Sequence, residues 1–122
     1  MDFVRKQCSD LGGDPGRIVL AGWSRGGRAA AGVVMSRDAV PGWRPLALVG
    51  IAASYRPRAP TSGSSPLSDL KAGGQDPIPV WLVHGLHDSV VDPGQSLVFI
   101  AHWPRRDGHA NCDSSRLTTL AP

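Results

Sequence analysis

Cysteine is scarce in this chain of 122 residues: Cys8 and Cys112 are its only two. That is too few for a disulfide framework, and their separation is not that of metal ligands, so free thiols are expected. Lysine is equally rare, at positions 6 and 71 alone, so the net charge of +3 comes from arginine. The arginines are scattered and form no basic stripe interleaved with aromatics, which argues against a nucleic-acid partner and against a basic binding module. Long apolar runs are missing too. Residues 29–35 and 46–53 are the longest, far short of the roughly 20 residues a membrane helix needs, so no membrane span is expected. Residues 1–15 lack the apolar stretch of a secretory leader, which makes a cytoplasmic location the default if the chain is complete. No ligand cluster and no phosphate-binding loop stands out, so neither a metal nor an organic cofactor is expected.

What is present is an ordinary globular composition, 41% hydrophobic and 19% charged, on a chain long enough for one domain with a modest core. Its most informative stretch is residues 17–26, Arg-Ile-Val-Leu-Ala-Gly-Trp-Ser-Arg-Gly. A β-branched apolar run enters Gly22-Trp23-Ser24-Arg25-Gly26, and a small-residue helical pattern follows. Glycines two before and two after Ser24 let the backbone turn sharply, so the serine hydroxyl is expected bare at the tip of a strand. The five-residue pattern alone is weak in a chain with 15 glycines; strand before and helix after carry the weight. Without reactivity, the same turn would be a glycine-rich connection that packs or binds an anion.

Along the chain, residues 2–11 place Phe3, Val4, Cys8 and Leu11 on one helical face, with a stop at 11–15. Residues 17–21 read as a parallel strand buried on both faces, because they are continuously apolar after the first. Residues 25–37 read as a helix with Ala29, Ala30, Val33 and Val34 turned inward. A second apolar strand is expected at 46–53 and a third at 78–83. Between them lies a loop rich in Pro, Gly and Ser, with one helical turn near 65–72. Asp92, Pro93 and Gln95 fit the N-cap, N1 and N3 positions of a last helix running to about His102. Residues 103–122 lack any amphipathic pattern and are expected to be an irregular or disordered tail beyond a partial domain at 1–102. The alternation implies an α/β fold: a parallel sheet of about three strands, flanking helices and right-handed crossovers. In such a sheet reactive groups gather at the carboxyl ends of the strands, and both Ser24 and Asp88 follow strand ends.

Two stretches, 11–27 with Gly22-Trp23-Ser24-Arg25-Gly26 and 79–92 with His84-Gly85-Leu86-His87-Asp88, resemble the α/β-hydrolase superfamily, nearest its esterase/lipase and feruloyl-esterase-like members. The resemblance covers about residues 2–100 and corresponds to the C-terminal half of that fold. It implies a hydrolase of small carboxylic esters, or a serine peptidase of the same fold, with no cofactor. It implies Ser24 as nucleophile and Asp88 as the acid, followed in chain order by a histidine base. His109, in a loop-like setting, is preferred over His102, which falls in the last helix. The backbone N–H of Arg25 would stabilise the oxyanion, and Trp23 would line the acyl pocket or pack under the turn. His84 and His87 are expected to be structural, and Asp92 to cap a helix.

The early strands of that family, and the loop that donates its second oxyanion N–H, have no counterpart ahead of residue 17. The strand at Arg17 to Ala21 would then be an open edge, available to a strand partner. A catalytically inactive truncated fragment, or half of an assembly completed by another chain, is the competing expectation.

Overall fold

The computed structural model describes residues 2–36, 42–56, 63–73, 78–104 and 115–120. The apolar runs become parallel strands: β1 (Val19–Trp23), β2 (Ala47–Ile51), β3 (Val80–Gly85) and β4 (Ser115–Leu120), lying side by side in chain order. Four helices accompany them: α1 (Asp2–Cys8), α2 (Arg25–Met35), α3 (Pro66–Ala72) and α4 (Gly94–His102). The α/β class and the parallel sheet flanked by helices are as expected, and α3 falls where one helical turn was expected.

The fourth strand corrects the reading of residues 103–122 as irregular. Ser115-Arg116-Leu117-Thr118-Thr119-Leu120 pairs residue by residue with β3, from Val80↔Ser115 to Gly85↔Leu120. Threonine is a good strand former, and an edge strand with one neighbour does not need the continuous apolar run that marks a central parallel strand.

Register places Leu20, Leu48, Val80, Leu82 and His84 on one face of the sheet, with all but the half-buried Leu20 almost fully buried. Helices α2, α3 and α4 pack with them around a core that includes Ala31, Val34, Leu70 and Phe99. The opposite face leaves Val19, Trp23, Ile51 and Trp81 exposed. Burial of β1 on both faces, expected from its composition, is therefore not met: β1 alternates between exposed and half-buried residues and begins two residues later. The face expected for α1 is likewise outside: Phe3, Val4 and Leu11 are exposed and Cys8 is half-buried.

Helix α2 buries Gly27, Ala31, Val34 and Met35, spaced i, i+4, i+7 and i+8; of the expected stripe Val34 is buried and Ala30 packs against the core, while Ala29 is exposed and Val33 half-buried. Its phase is set where it meets the sheet, because Gly27 lies tight against Ala53 and Gly22. Helix α3 starts with a reciprocal cap: Ser68 N–H donates to Ser65 Oγ (3.1 Å) while Ser65 N–H donates to Ser68 Oγ (2.7 Å), with Pro66 at the first position. Helix α4 ends under an aromatic stack. Tyr55 and Phe99 lie face to face at 4.1 Å, and the Trp103 indole N–H donates to the Ile78 carbonyl at 3.0 Å. That last bond fixes the end of α4 at the amino-terminal edge of the sheet, beside the start of β3.

Candidate active site

The turn after β1 is built from three backbones held unusually close. A Cβ on Gly22 would lie 2.4 Å from the carbonyl carbon and oxygen of Gly26, and one on Gly27 would lie 2.5 Å from Ala53 Cβ. Both glycines are therefore required by space. Gly26 is not: a Cβ there would meet nothing within 4 Å. The sequence pattern pointed to Gly22 and Gly26, and the structure moves the second requirement one residue on.

Between them Ser24 takes φ 52° and ψ −119°, a region L-residues rarely occupy and one that costs on the order of 1–3 kcal/mol. The surroundings impose this conformation. The Ser24 N–H donates to the Ile51 carbonyl at the end of β2 (2.8 Å), and α2 begins at the next residue. Ser24 occupies the N-cap position of α2, yet its side chain makes no capping bond, and the residue is half-buried. The hydroxyl is thus not consumed by the helix end that usually claims such a serine. Arg25, as the first helical residue, carries one of the N–H groups that α2 itself cannot satisfy. Trp23 stands 72% exposed at the carboxyl end of β1, on the open face of the sheet.

Asp88 lies three residues past the end of β3, at the same carboxyl-terminal edge as Ser24. Its Oδ1 accepts the N–H groups of Val90 and Val91, both at 2.9 Å, and its Oδ2 is 3.3 Å from His84 Nε2. The Val91 and Val90 N–H groups first, and His84 after them, hold the Asp88 carboxyl below its ordinary range, so it is an anion at neutral pH.

Of the remaining expected residues, Asp92 serves the start of α4 from the residue before the N-cap, its Oδ1 accepting Gly94 N–H at 2.8 Å. The helix starts one residue later than expected, with Pro93 rather than Asp92 at the N-cap. Gln95 does not reach back to the cap. Its Oε1 accepts from Ser54 Oγ (3.0 Å), Tyr55 N–H (3.0 Å) and Arg56 N–H (3.2 Å), tying α4 to the segment after β2. His84 is buried as a structural histidine should be, and His87 is exposed. His102 is exposed at the end of α4, 2.8 Å from the Val98 carbonyl through Nδ1. It adjoins Trp103, so it sits at the amino-terminal edge, opposite Ser24 and Asp88. His109 and Cys112 lie outside the described residues, and Cys8 is a free thiol. Among the described residues no group of three or more His, Cys, Asp or Glu is arranged to hold a metal, and no helix is long and apolar enough to cross a membrane.

No protein-family description matches the sequence, and no curated protein does. Solved structures do match. MGS-M1, an α/β hydrolase enzyme from a Medee basin deep-sea metagenome library, superposes with a TM-score of 0.65 at 13% identity. The match takes in 99% of this chain and 45% of that one. A thermostable esterase superposes with a TM-score of 0.60 at 21% identity, over 98% of this chain and 26% of that one. This chain thus spans less than half the length of either protein. At these identities the likeness is one of fold, and the fold this chain carries is that of part of an α/β hydrolase.

Proposed function

We propose that this chain is the nucleophile-bearing portion of a serine hydrolase acting on small carboxylic esters. One observation carries the reading: a serine hydroxyl free of helix capping, on a strained bend, shares a sheet edge with a loop-held carboxylate. In the proposed reaction Ser24 Oγ bonds to the ester carbonyl carbon as its proton passes to an imidazole. The developing oxyanion accepts from the Arg25 N–H. The imidazolium returns the proton to the departing alcohol, leaving an acyl group on Ser24. Water attacks the acyl carbon by the same route in reverse, releasing the acid and restoring the hydroxyl. Asp88 orients the imidazole and stabilises its cation, and Trp23 borders the acyl group. The same apparatus could cleave a peptide; the esterase likeness favours the ester.

Within this chain the proposed imidazole is that of His109. Its neighbours constrain its reach. Trp103 bonds to Ile78, and Ser115 pairs with Val80, so both flanks of the segment holding His109 are tied to the amino-terminal edge. From there to the other edge the sheet runs the length of β3, on the order of 17 Å at about 3.3 Å per residue. With both flanks held that far from Ser24 and Asp88, a second reading is favoured: the base comes from outside this segment, as in an assembly completed by another chain that also pairs with the β1 edge at residues 19–23.

Labelling with a fluorophosphonate probe separates the two readings. For a chain that supplies its own base, native protein labels, Ser24→Ala does not, and His102→Ala labels like native. His109→Ala should then slow labelling by about a hundredfold or more. Folded native protein that stays unlabelled alone would overturn that reading and leave the incomplete assembly.

A further inference from the structure

His84 is the buried titratable group that the proposed reaction leaves without a task. Its Nε2 lies 3.0 Å from the Val91 carbonyl and 3.3 Å from Asp88 Oδ2, and its Nδ1 lies 2.7 Å from Ser96 Oγ. A carbonyl and a carboxylate only accept, so Nε2 must carry the ring proton and share it between them. A neutral ring then accepts the Ser96 hydroxyl at Nδ1. Ring and hydroxyl are both buried, so water does not compete for Nδ1, and the ring plane is held between Ser96 on one side and Val91 and Asp88 on the other.

We infer that His84 is a positioning residue for the candidate acid: anchored by Ser96 on α4, it fixes the Oδ2 side of Asp88 while Val90 and Val91 fix the Oδ1 side. The inference rests on the reading of Asp88 as the acid. A carboxylate offers about four lone-pair sites. Two on Oδ1 are taken by backbone N–H groups and one on Oδ2 by the His84 N–H, which leaves one for a further donor. The loop therefore presents Asp88 with a single vacancy, on the oxygen that His84 holds in place. An imidazole arriving there meets an acceptor whose rotation is already arrested from both sides. Without the Nε2 bond, the carboxylate keeps its backbone bonds but Oδ2 is free to swing.

Asparagine and glutamine at position 84 separate the two ends of the ring, because an Asn amide overlies Nδ1 and a Gln amide overlies Nε2. His84→Asn keeps the Ser96 bond and loses the Asp88 bond; His84→Gln does the reverse. The carboxyl ¹³C titration of Asp88 reads positioning without any need for turnover. Its midpoint should move up in His84→Asn and return toward native in His84→Gln, with the Val90 and Val91 amide signals following the same order. Where native protein hydrolyses p-nitrophenyl acetate, kcat should fall ten- to a hundredfold in His84→Asn with KM little changed, and recover in His84→Gln.

An unshifted Asp88 midpoint in folded His84→Asn, or equal effects of the two variants, would overturn the inference. Absence of turnover in native protein with the Asp88 response intact would instead count against a chain that supplies its own base and leave the positioning standing. Should both variants fail to fold, Ser96→Ala keeps the imidazole and releases Nδ1. The ring then loses its anchor on α4 while Nε2 keeps its acceptors, so the Nδ1 ¹⁵N shift should change and the Asp88 midpoint should move up. An Asp88 midpoint that stays at the native value in folded Ser96→Ala would refute the network.

Discussion

Glycines 22 and 26 occupy symmetric places around Ser24, yet the structure predicts opposite outcomes when each becomes alanine. At Gly22 the new Cβ would stand 2.4 Å from two backbone atoms of Gly26 and 2.5 Å from the Gly27 nitrogen. Ordinary contact requires about 1 Å more, and backbone in a helix first turn cannot swing aside as a side chain can. Relief means lifting α2 off β1, so Gly22→Ala should cost about 3 kcal/mol, the upper end for overpacking. At Gly26 there is open space, and the residue lies within α2 with no positive φ. Gly26→Ala should therefore stabilise by about 0.5–1 kcal/mol, the helix-propensity gain. A chain this size converts each 1 kcal/mol into roughly 4 °C of Tm. The pair should therefore separate by some 14 °C in thermal melts followed by circular dichroism, and in the same order in urea. Gly27→Ala should behave like Gly22→Ala, and the double variant should cost less than the sum, since one displacement of α2 relieves both contacts. Tolerance of Gly22→Ala, or a loss above 1 kcal/mol from Gly26→Ala, would refute the close-approach reasoning.

Two further outcomes follow from buried and loop-held groups. Among the described residues the Tyr55 hydroxyl has no hydrogen-bond partner, and burial pushes its phenol well above the usual range. Tyr55→Phe should remove a desolvation penalty and stabilise by about 1 kcal/mol while keeping the stack on Phe99; a loss of that size in urea titration would show a missed partner. Asp88 titrates below its ordinary value of 3.8 when folded, so the unfolded chain takes up its proton first as pH falls. Its contribution is complete above the ordinary value and disappears as pH drops through the depressed one. Between pH 5 and pH 3 the urea midpoint of native protein should fall more than that of Asp88→Asn, and equal falls would contradict the bond pattern.

The elements that position Ser24 and Asp88 were legible because the strands leading to them are apolar runs in the sequence and each is followed by a helix signal. Composition spoke less clearly at the edges. Strand β4 is half threonine and serine and has one neighbour, so no apolar run announced it. In β1 the apolar run was read as burial on both faces, whereas helices cover only one. The stripe of α2 was met at Val34 and Ala30 but turned too far toward Ala29 and Val33, because the buried series begins at Gly27, which no hydrophobic pattern counts. Gln95 was read as a local cap. The donors to its amide oxygen, Ser54, Tyr55 and Arg56, lie about 40 residues away, and no spacing rule connects them. His84 was read as structural, and its approach to Asp88 depends on how the turn after β3 closes.

Strand order that repeats chain order bears on biosynthesis. Among the described strands, each of β2, β3 and β4 leaves the ribosome to find its preceding neighbour already made, so this part of the sheet can grow by accretion at one advancing border. Between the end of β1 and the start of β2 the chain runs 23 residues, and for that interval the side of β1 that β2 will cover stays unpaired, which is when a nascent chain of this design would most need a chaperone.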